Sequence, residues 1–179
     1  YDRRERQERL DRLVAAIGTA LQPASGAAVD ANAAMEPIRA LLDHPEMDVN
    51  GLGGPLQQPP LVVAVTGNDG QPPRTEIASL RRDIVRELLD RGADPTRRER
   101  HPMAVDAIIR AAVFAHLDIL KDIAARIGRE RMAAALNTQP AVNGLTALHD
   151  AVLRASTAGP ENLDRYLSQI RWFTEIGAR

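Results

Sequence analysis

The chain reads as an all-α fold, and three segments that repeat one another carry that reading. Arg82-Asp83-Ile84-Val85-Arg86-Glu87-Leu88-Leu89-Asp90-Arg91-Gly92-Ala93-Asp94-Pro95 is a short amphipathic helix stopped by a glycine turn. His116 to Ala124 repeats the helix, and Gln169 to Ala178 repeats both helix and stop. One supersecondary unit recurring at about 33 residues or more predicts a stacked solenoid, in which each unit buries against its neighbours the face it cannot bury alone. Such stacks offer extended surfaces to partners.

Composition narrows the field. A length of 179 residues predicts one domain with a sizeable core. The net charge of −1 gives no global attraction for nucleic acid or an anionic membrane. The absence of cysteine excludes a disulfide framework and any thiolate metal site or nucleophile. It fits a cytoplasmic location, with secretion into a host cell as an effector the alternative. No apolar run approaches the roughly 18 residues of a membrane span. Tyr1 is not an initiator, so a fragment or a processed form is expected. Of 23 basic residues only Lys121 is a lysine. With abundant alanine this reads as GC-rich coding and a bacterial source; avoidance of lysine ubiquitination in a host is the sharper alternative.

The elements follow in order. Leu10, Leu13, Val14, Ile17 and Leu21 form one buried helical stripe over 2–20. Proline, glycine and small residues make 22–31 a loop. A second helix spans about 32–43, its regular part expected from near Pro37. Residues 44–60 are turn-rich. Leu61-Val62-Val63-Ala64-Val65 is apolar and short, and periodicity leaves strand and buried helix equally open. Helices are expected at 79–91, 103–114, 116–127 and 129–136, then at 147–155 and 163–176.

Several of these segments resemble one family. Asn143-Gly144-Leu145-Thr146-Ala147-Leu148-His149-Asp150-Ala151 is similar to the ankyrin-repeat pattern Gly-x-Thr-Pro-Leu-His-x-Ala, with Ala147 in place of proline. Leu88 to Pro95 resembles the family's Leu-Leu-x-x-Gly-Ala-Asp-Pro ending, and Pro60-Leu61-Val62-Val63-Ala64 its Pro-Leu-x-x-Ala core. Asp106 to Ile119 resembles a third unit, and Asp48-Val49-Asn50 the end of a first. The resemblance implies a single domain, an ankyrin-type helical-pair solenoid, with units at about 2–50, 51–96, 97–138 and 139–179. Ile38, Val85, Leu120 and Ile170 then share one register position, and Leu41, Leu88, Ile123 and Phe173 another. The chain departs from the family in lengthened inter-helix loops at 22–31, 66–79 and 156–162, and in finger segments 44–60 and 97–102 that lack clean hairpin turns. Its last helix offers Ile170, Trp172, Phe173 and Ile176, so further chain or another surface is expected to pack on Trp172 and Phe173.

The residues offer no obvious chemistry. His44, His101, His116 and His149 form no zinc-helix pattern. The resemblance gives His149 and His116 structural roles. Gly51-Leu52-Gly53-Gly54 lacks the context of a phosphate cradle, and Asn68-Asp69-Gly70 lacks the ligands of a calcium loop. Arg97, Arg98 and Arg100 beside His101 have no aromatic neighbours for base stacking. The expectation is a non-enzymatic module without cofactor or metal that binds a protein partner, no nucleic acid, and no membrane. The alternatives are the targeting part of a larger effector enzyme and an inhibitor that caps an enzyme. The ankyrin resemblance implies a concave face comprising Thr66, Val113, Phe114, Leu145, Leu153 and Arg154, with Arg98, Arg100, His101, Val142 and Asn143 at the finger tips. Phe114 is the aromatic of interest, with filling the gap between units three and four as its other reading.

Overall fold

The computed structural model describes residues 2–23, 26–69, 73–100, 102, 104–140 and 143–179. Among them every extended regular element is an α-helix. The first four are α1 (Asp2–Ala20), α2 (Ala31–Leu42), α3 (Pro60–Ala64) and α4 (Thr75–Asp90). Then come α5 (Ala107–Val113), α6 (Leu117–Ile127), α7 (Arg129–Leu136), α8 (Ala147–Thr157) and α9 (Pro160–Ile176). The apolar run at 61–65 is therefore helical. Pro60 at its first turn needs no hydrogen-bond partner there, and Leu61, Val62 and Ala64 are buried.

Several boundaries differ from the sequence expectation, and α5, expected from 103, starts at Ala107 behind the Asp106 cap. α2 begins well before Pro37, because the Asp30 carboxylate accepts the Ala33 N–H at 3.1 Å and starts the helix there. α4 starts at Thr75 rather than 79. The loop expected at 156–162 is almost entirely helical. Ser156 and Thr157 hydroxyls bond back to Leu153 O, and Pro160 opens α9, which leaves 158–159 as the connection. The other two lengthened connections stand, at 21–30 and 65–74.

The helices pack in two rows. α1 lies on α3, α3 on α5, and α5 on α8; alongside, α2 lies on α4, α4 on α6, α6 on α7, and α7 on α9. The pairs α1–α2, α3–α4, α5–α6 and α8–α9 join the rows. One hydrophobic core runs through both, from Leu13 and Ile17 through Ile84 and Leu88 to Leu120, Ile123 and Phe173. Ala64 and Ala111 are fully buried where helices of the first row approach closely, whereas Leu148 of α8 is only half-buried.

Polar contacts recur along the chain. Gly92 and Gly177 take φ of +90° and +99°, and the N–H after each bonds back to Leu88 O at 3.0 Å and Phe173 O at 2.9 Å. The Asn50 amide donates to Gly92 O at 3.1 Å, while its oxygen accepts the Asp94 N–H at 2.7 Å. Asn137 makes the same two bonds, to Gly177 O at 3.4 Å and from the Arg179 N–H at 2.6 Å. The same side chain thus ties one helix end to the next at two places.

Helix starts carry the pH dependence. Asp106 caps α5 by accepting the Ile109 N–H at 2.9 Å, yet it is buried, and burial pushes its carboxyl up to about 6. A raised folded pKa contributes stability that is full below the unfolded value and lost as pH rises through about 6. Asp106→Asn keeps an acceptor for the cap without the charge. It is expected to stabilise the fold by about 1–2 kcal/mol at pH 7 and by nothing at pH 4. Urea titrations at the two pH values measure this; equal effects at both would contradict the buried-carboxylate reading.

Candidate protein-binding surface and the buried arginine cluster

The finger between α2 and α3 is a minimal hairpin, contrary to the sequence expectation. Gly53 and Gln58 exchange both backbone hydrogen bonds, each 3.0 Å, around the turn Gly54–Gln57. Gly54 at φ +73° and Gln57 at φ +49° supply the left-handed backbone that such a turn needs. The Cβ missing at Gly53 would meet Leu10 and Val14 of α1 at 3.0–3.1 Å, so the finger sits tightly on that helix. The next finger lies beside it: the Arg100 N–H donates to Gln57 O at 3.1 Å, and Gln58 donates to the buried Glu99 at 2.8 Å. Glu99 also accepts from Arg110 of α5 at 2.6 Å. Neighbouring fingers are thereby fixed to each other and to the first helix row.

Leu56 projects at the tip of the first finger, 54% exposed. Sequence reasoning missed it, since only the hairpin geometry places it outward. Arg98 and Arg100 are exposed on the second finger, and Asn143 is exposed on the third, where its side chain accepts the Leu145 N–H at 3.1 Å. Leu145 is half-buried. On α8, Leu153 is 54% exposed, and Arg154, next in the chain, is held by Asp150 at 2.7 Å and lies beside the Tyr166 hydroxyl. The predicted tip residues His101 and Val142 lie outside the described residues.

The remaining predicted members sit, like Leu153 in the matching register, toward the ends of the first-row helices away from the fingers. Thr66 follows α3 and spends its hydroxyl on Val62 O at 2.7 Å. Val113 and Phe114 close α5 and are half-buried. The Phe114 ring stacks on His116 with centroids 6.2 Å apart, and its carbonyl accepts from Arg165 of α9 at 3.2 Å. Phe114 is therefore half-buried against His116, with its backbone tied to α9.

That end of the molecule holds a buried ionic cluster. Arg81 of α4 is 1% exposed. Its guanidinium donates to Asp69 at 2.9 Å and to the carbonyls of Ala64, Thr66 and Asn68 at 3.0, 2.9 and 3.2 Å. It thus satisfies the last carbonyl of α3, at Ala64, and fixes the loop that follows through Thr66 and Asn68. α9 does the same for α5, with Gln169 donating to Ala112 O at 2.7 Å and Arg165 to Ala115 O at 3.2 Å. His116 bridges the two ends: its Nε2–H donates to Gly67 O at 2.8 Å. Burial, reinforced by the Arg81 charge, lowers its pKa to about 4, so it is neutral at pH 7. A depressed histidine gives stability that is full above 6.5 and lost as pH falls toward 4, opposite in sign to Asp106. A cleft of about 390 Å³ opens above this cluster, between the start of α4, the turn at Ala115–Ile119, and Arg165. Two of its arginines are paired: Arg81 with Asp69, and Arg82 with Asp122 at 2.7 and 2.9 Å.

His149 is exposed, in the first turn of α8. The Thr146 hydroxyl gives its proton to Arg179 O at 2.6 Å, so its oxygen accepts from His149 Nδ1 at 2.7 Å. The Trp172–Phe173 surface expected to be open is not open. Phe173 is fully buried in the chain's own core, and Trp172 packs half-buried against it with centroids 5.8 Å apart. Among the described residues no three His, Asp or Glu side chains gather as a metal site, and no helix is long and apolar enough to cross a membrane. No protein-family model matches this chain, and no curated protein matches its sequence.

Proposed function

We propose that the chain is a protein-binding module, a stack of four ankyrin-type helix pairs that recognises a protein partner through the fingers and the outward side of α8. The observation that carries the reading is Leu153, a 54% exposed leucine on α8, followed in the chain by Arg154, which Asp150 holds at 2.7 Å. An apolar anchor next to a pre-oriented arginine is the composition of a binding hot spot. The paired rows, the matched asparagine ties and the matched glycine stops support the repeat reading. Leu56 and the exposed Arg98 and Arg100 extend the surface along the fingers. Arg81 and Arg82 beside the cleft are each held by a carboxylate, which suits a scaffold better than acid–base chemistry.

Leu153→Glu is expected to weaken the partner complex by about 1–2 kcal/mol, roughly 5–30-fold, and to leave the melting temperature unchanged. Phe114→Ala, by contrast, is expected to lower the melting temperature and leave affinity intact. Titration calorimetry with thermal melts separates the two. Unchanged affinity for Leu153→Glu would remove α8 from the interface.

A further inference from the structure

We propose that the open face of the α8–α9 pair is closed by a second copy of this chain, packed about a twofold axis. The face is defined by comparison with the other helix pairs. Leu61 and Ile108 stand where Leu148 does, and are 1% and 0% exposed; Val65 and Ala112 stand where Val152 does, and are 0% and 3% exposed. In the second row Ile38, Val85 and Leu120 are fully buried where Ile170 is only half-buried. Each of those positions is covered by the next helix pair. On α8–α9 they are open, with Val152 50% exposed, and Leu167, nearly one turn before Ile170, is 43% exposed beside them. Leu148 and Val152 at i, i+4, and Leu163, Leu167 and Ile170 at i, i+4, i+7, make one apolar stripe on each helix. What fits this face is another helix pair.

The charges select the copy. In the antiparallel α8–α9 hairpin Arg154 lies beside Tyr166 and Thr146 bonds to Arg179, so Val152 and Leu167 share one level. A twofold axis at that level, perpendicular to the helices, sets Leu167 against its own copy and Val152 against its own copy. It also runs α9 antiparallel to itself. Asp164 then meets Arg171 of the other copy, twice, on the rim of the stripe. Both side chains are exposed, and neither has an ion-pair partner among the described residues. Such rim pairs set register more than strength, while the leucines and valines supply the buried centre. The opposite end of the stack offers no match: residues 2–8 of α1 are all exposed and mostly charged.

Sedimentation velocity up to about 100 μM tests this, in the range of a modest dimer. The wild-type chain is expected to dimerise, and Leu167→Glu to weaken the dimer at least about tenfold with an unchanged thermal melt. Asp164→Arg alone is expected to weaken it, and Asp164→Arg with Arg171→Asp to restore it. The chain has no cysteine, so Leu167→Cys supplies the sole thiol and is expected to form a covalent dimer on oxidation. A wild-type chain that stays monomeric, a dimer indifferent to Leu167→Glu, or charge variants without the restoring pattern would each overturn the proposal. None of these outcomes bears on the Leu153 surface.

Discussion

Arg81→Leu, at the most buried charged residue among the described residues, is expected to cost about 3–5 kcal/mol of unfolding free energy. The side chain is buried, and its guanidinium meets one carboxylate and three carbonyls within 3.2 Å. Removing it leaves Asp69, itself buried, without its counter-ion. It also leaves the carbonyls of Ala64, Thr66 and Asn68 without this donor. A two-residue change shows which loss dominates. If the orphaned charge were everything, Arg81→Leu with Asp69→Asn would restore stability. Three unsatisfied carbonyls are expected to keep the double variant at least about 1–2 kcal/mol below wild type. Arg81→Lys is expected to fall between, because one ammonium cannot reach four acceptors in different directions. Urea unfolding of the three variants measures this. A loss below about 1 kcal/mol for Arg81→Leu would mean that the cluster is solvated in solution.

Leu88→Ala is expected to cost about 2–5 kcal/mol, the range for a buried leucine whose cavity cannot collapse. Leu88 is fully buried on the inner side of α4, the helix that joins α2 to α6. Its carbonyl also receives the Ala93 N–H that ends the helix at Gly92. Truncation therefore removes packing from the middle of the second row, where neighbours on both sides hold the backbone in place. Equilibrium denaturation gives the value. A cost below about 0.5 kcal/mol would show that this face of α4 is not the buried one.

The sequence made most helices legible because their apolar spacing is regular. Leu10, Leu13, Val14 and Ile17 are buried as their period requires, and Val85, Leu88, Leu120 and Ile123 likewise. Failures came where a single contact, local or tertiary, outweighs the pattern. Pro37 suggested a helix start, yet the Asp30 cap acts earlier in the chain. Ser156 to Pro160 read as a loop, yet its hydroxyls bond back onto α8. Leu148 fits the core pattern and is half-buried only because no helix pair lies over it. Phe173 reads as an exposed aromatic at the end of a helix, and it is buried because α7 wedges into the second row beside α9.

The candidate surface was legible in part. Leu153, Arg154 and Asn143 follow from matching positions in a repeat pattern, and they lie on the outside of the stack. Leu56 was hidden, because nothing in Gly-Pro-Leu-Gln states that a hairpin tip points its leucine outward. The Arg81 cluster was hidden for a different reason. An arginine among alternating arginines and acids reads as a solvated helix face, and only the loop at 66–69 folding back over it makes it a buried donor. Phe114 looked like a surface anchor on composition alone. Its ring stacks on His116 and is half-buried, and its carbonyl bonds to Arg165.

The claim that α8 faces a protein partner is tested most directly by photo-cross-linking. A photo-reactive residue is placed at position 153 of the otherwise wild-type chain, and for comparison at the exposed position 36 of α2. Both chains are irradiated in lysate of the source cell, with unlabelled chain as competitor. The account predicts one stoichiometric heterologous adduct from position 153, displaced by competitor, and none from position 36. Equal labelling from both positions, or no competable adduct from position 153, would contradict it.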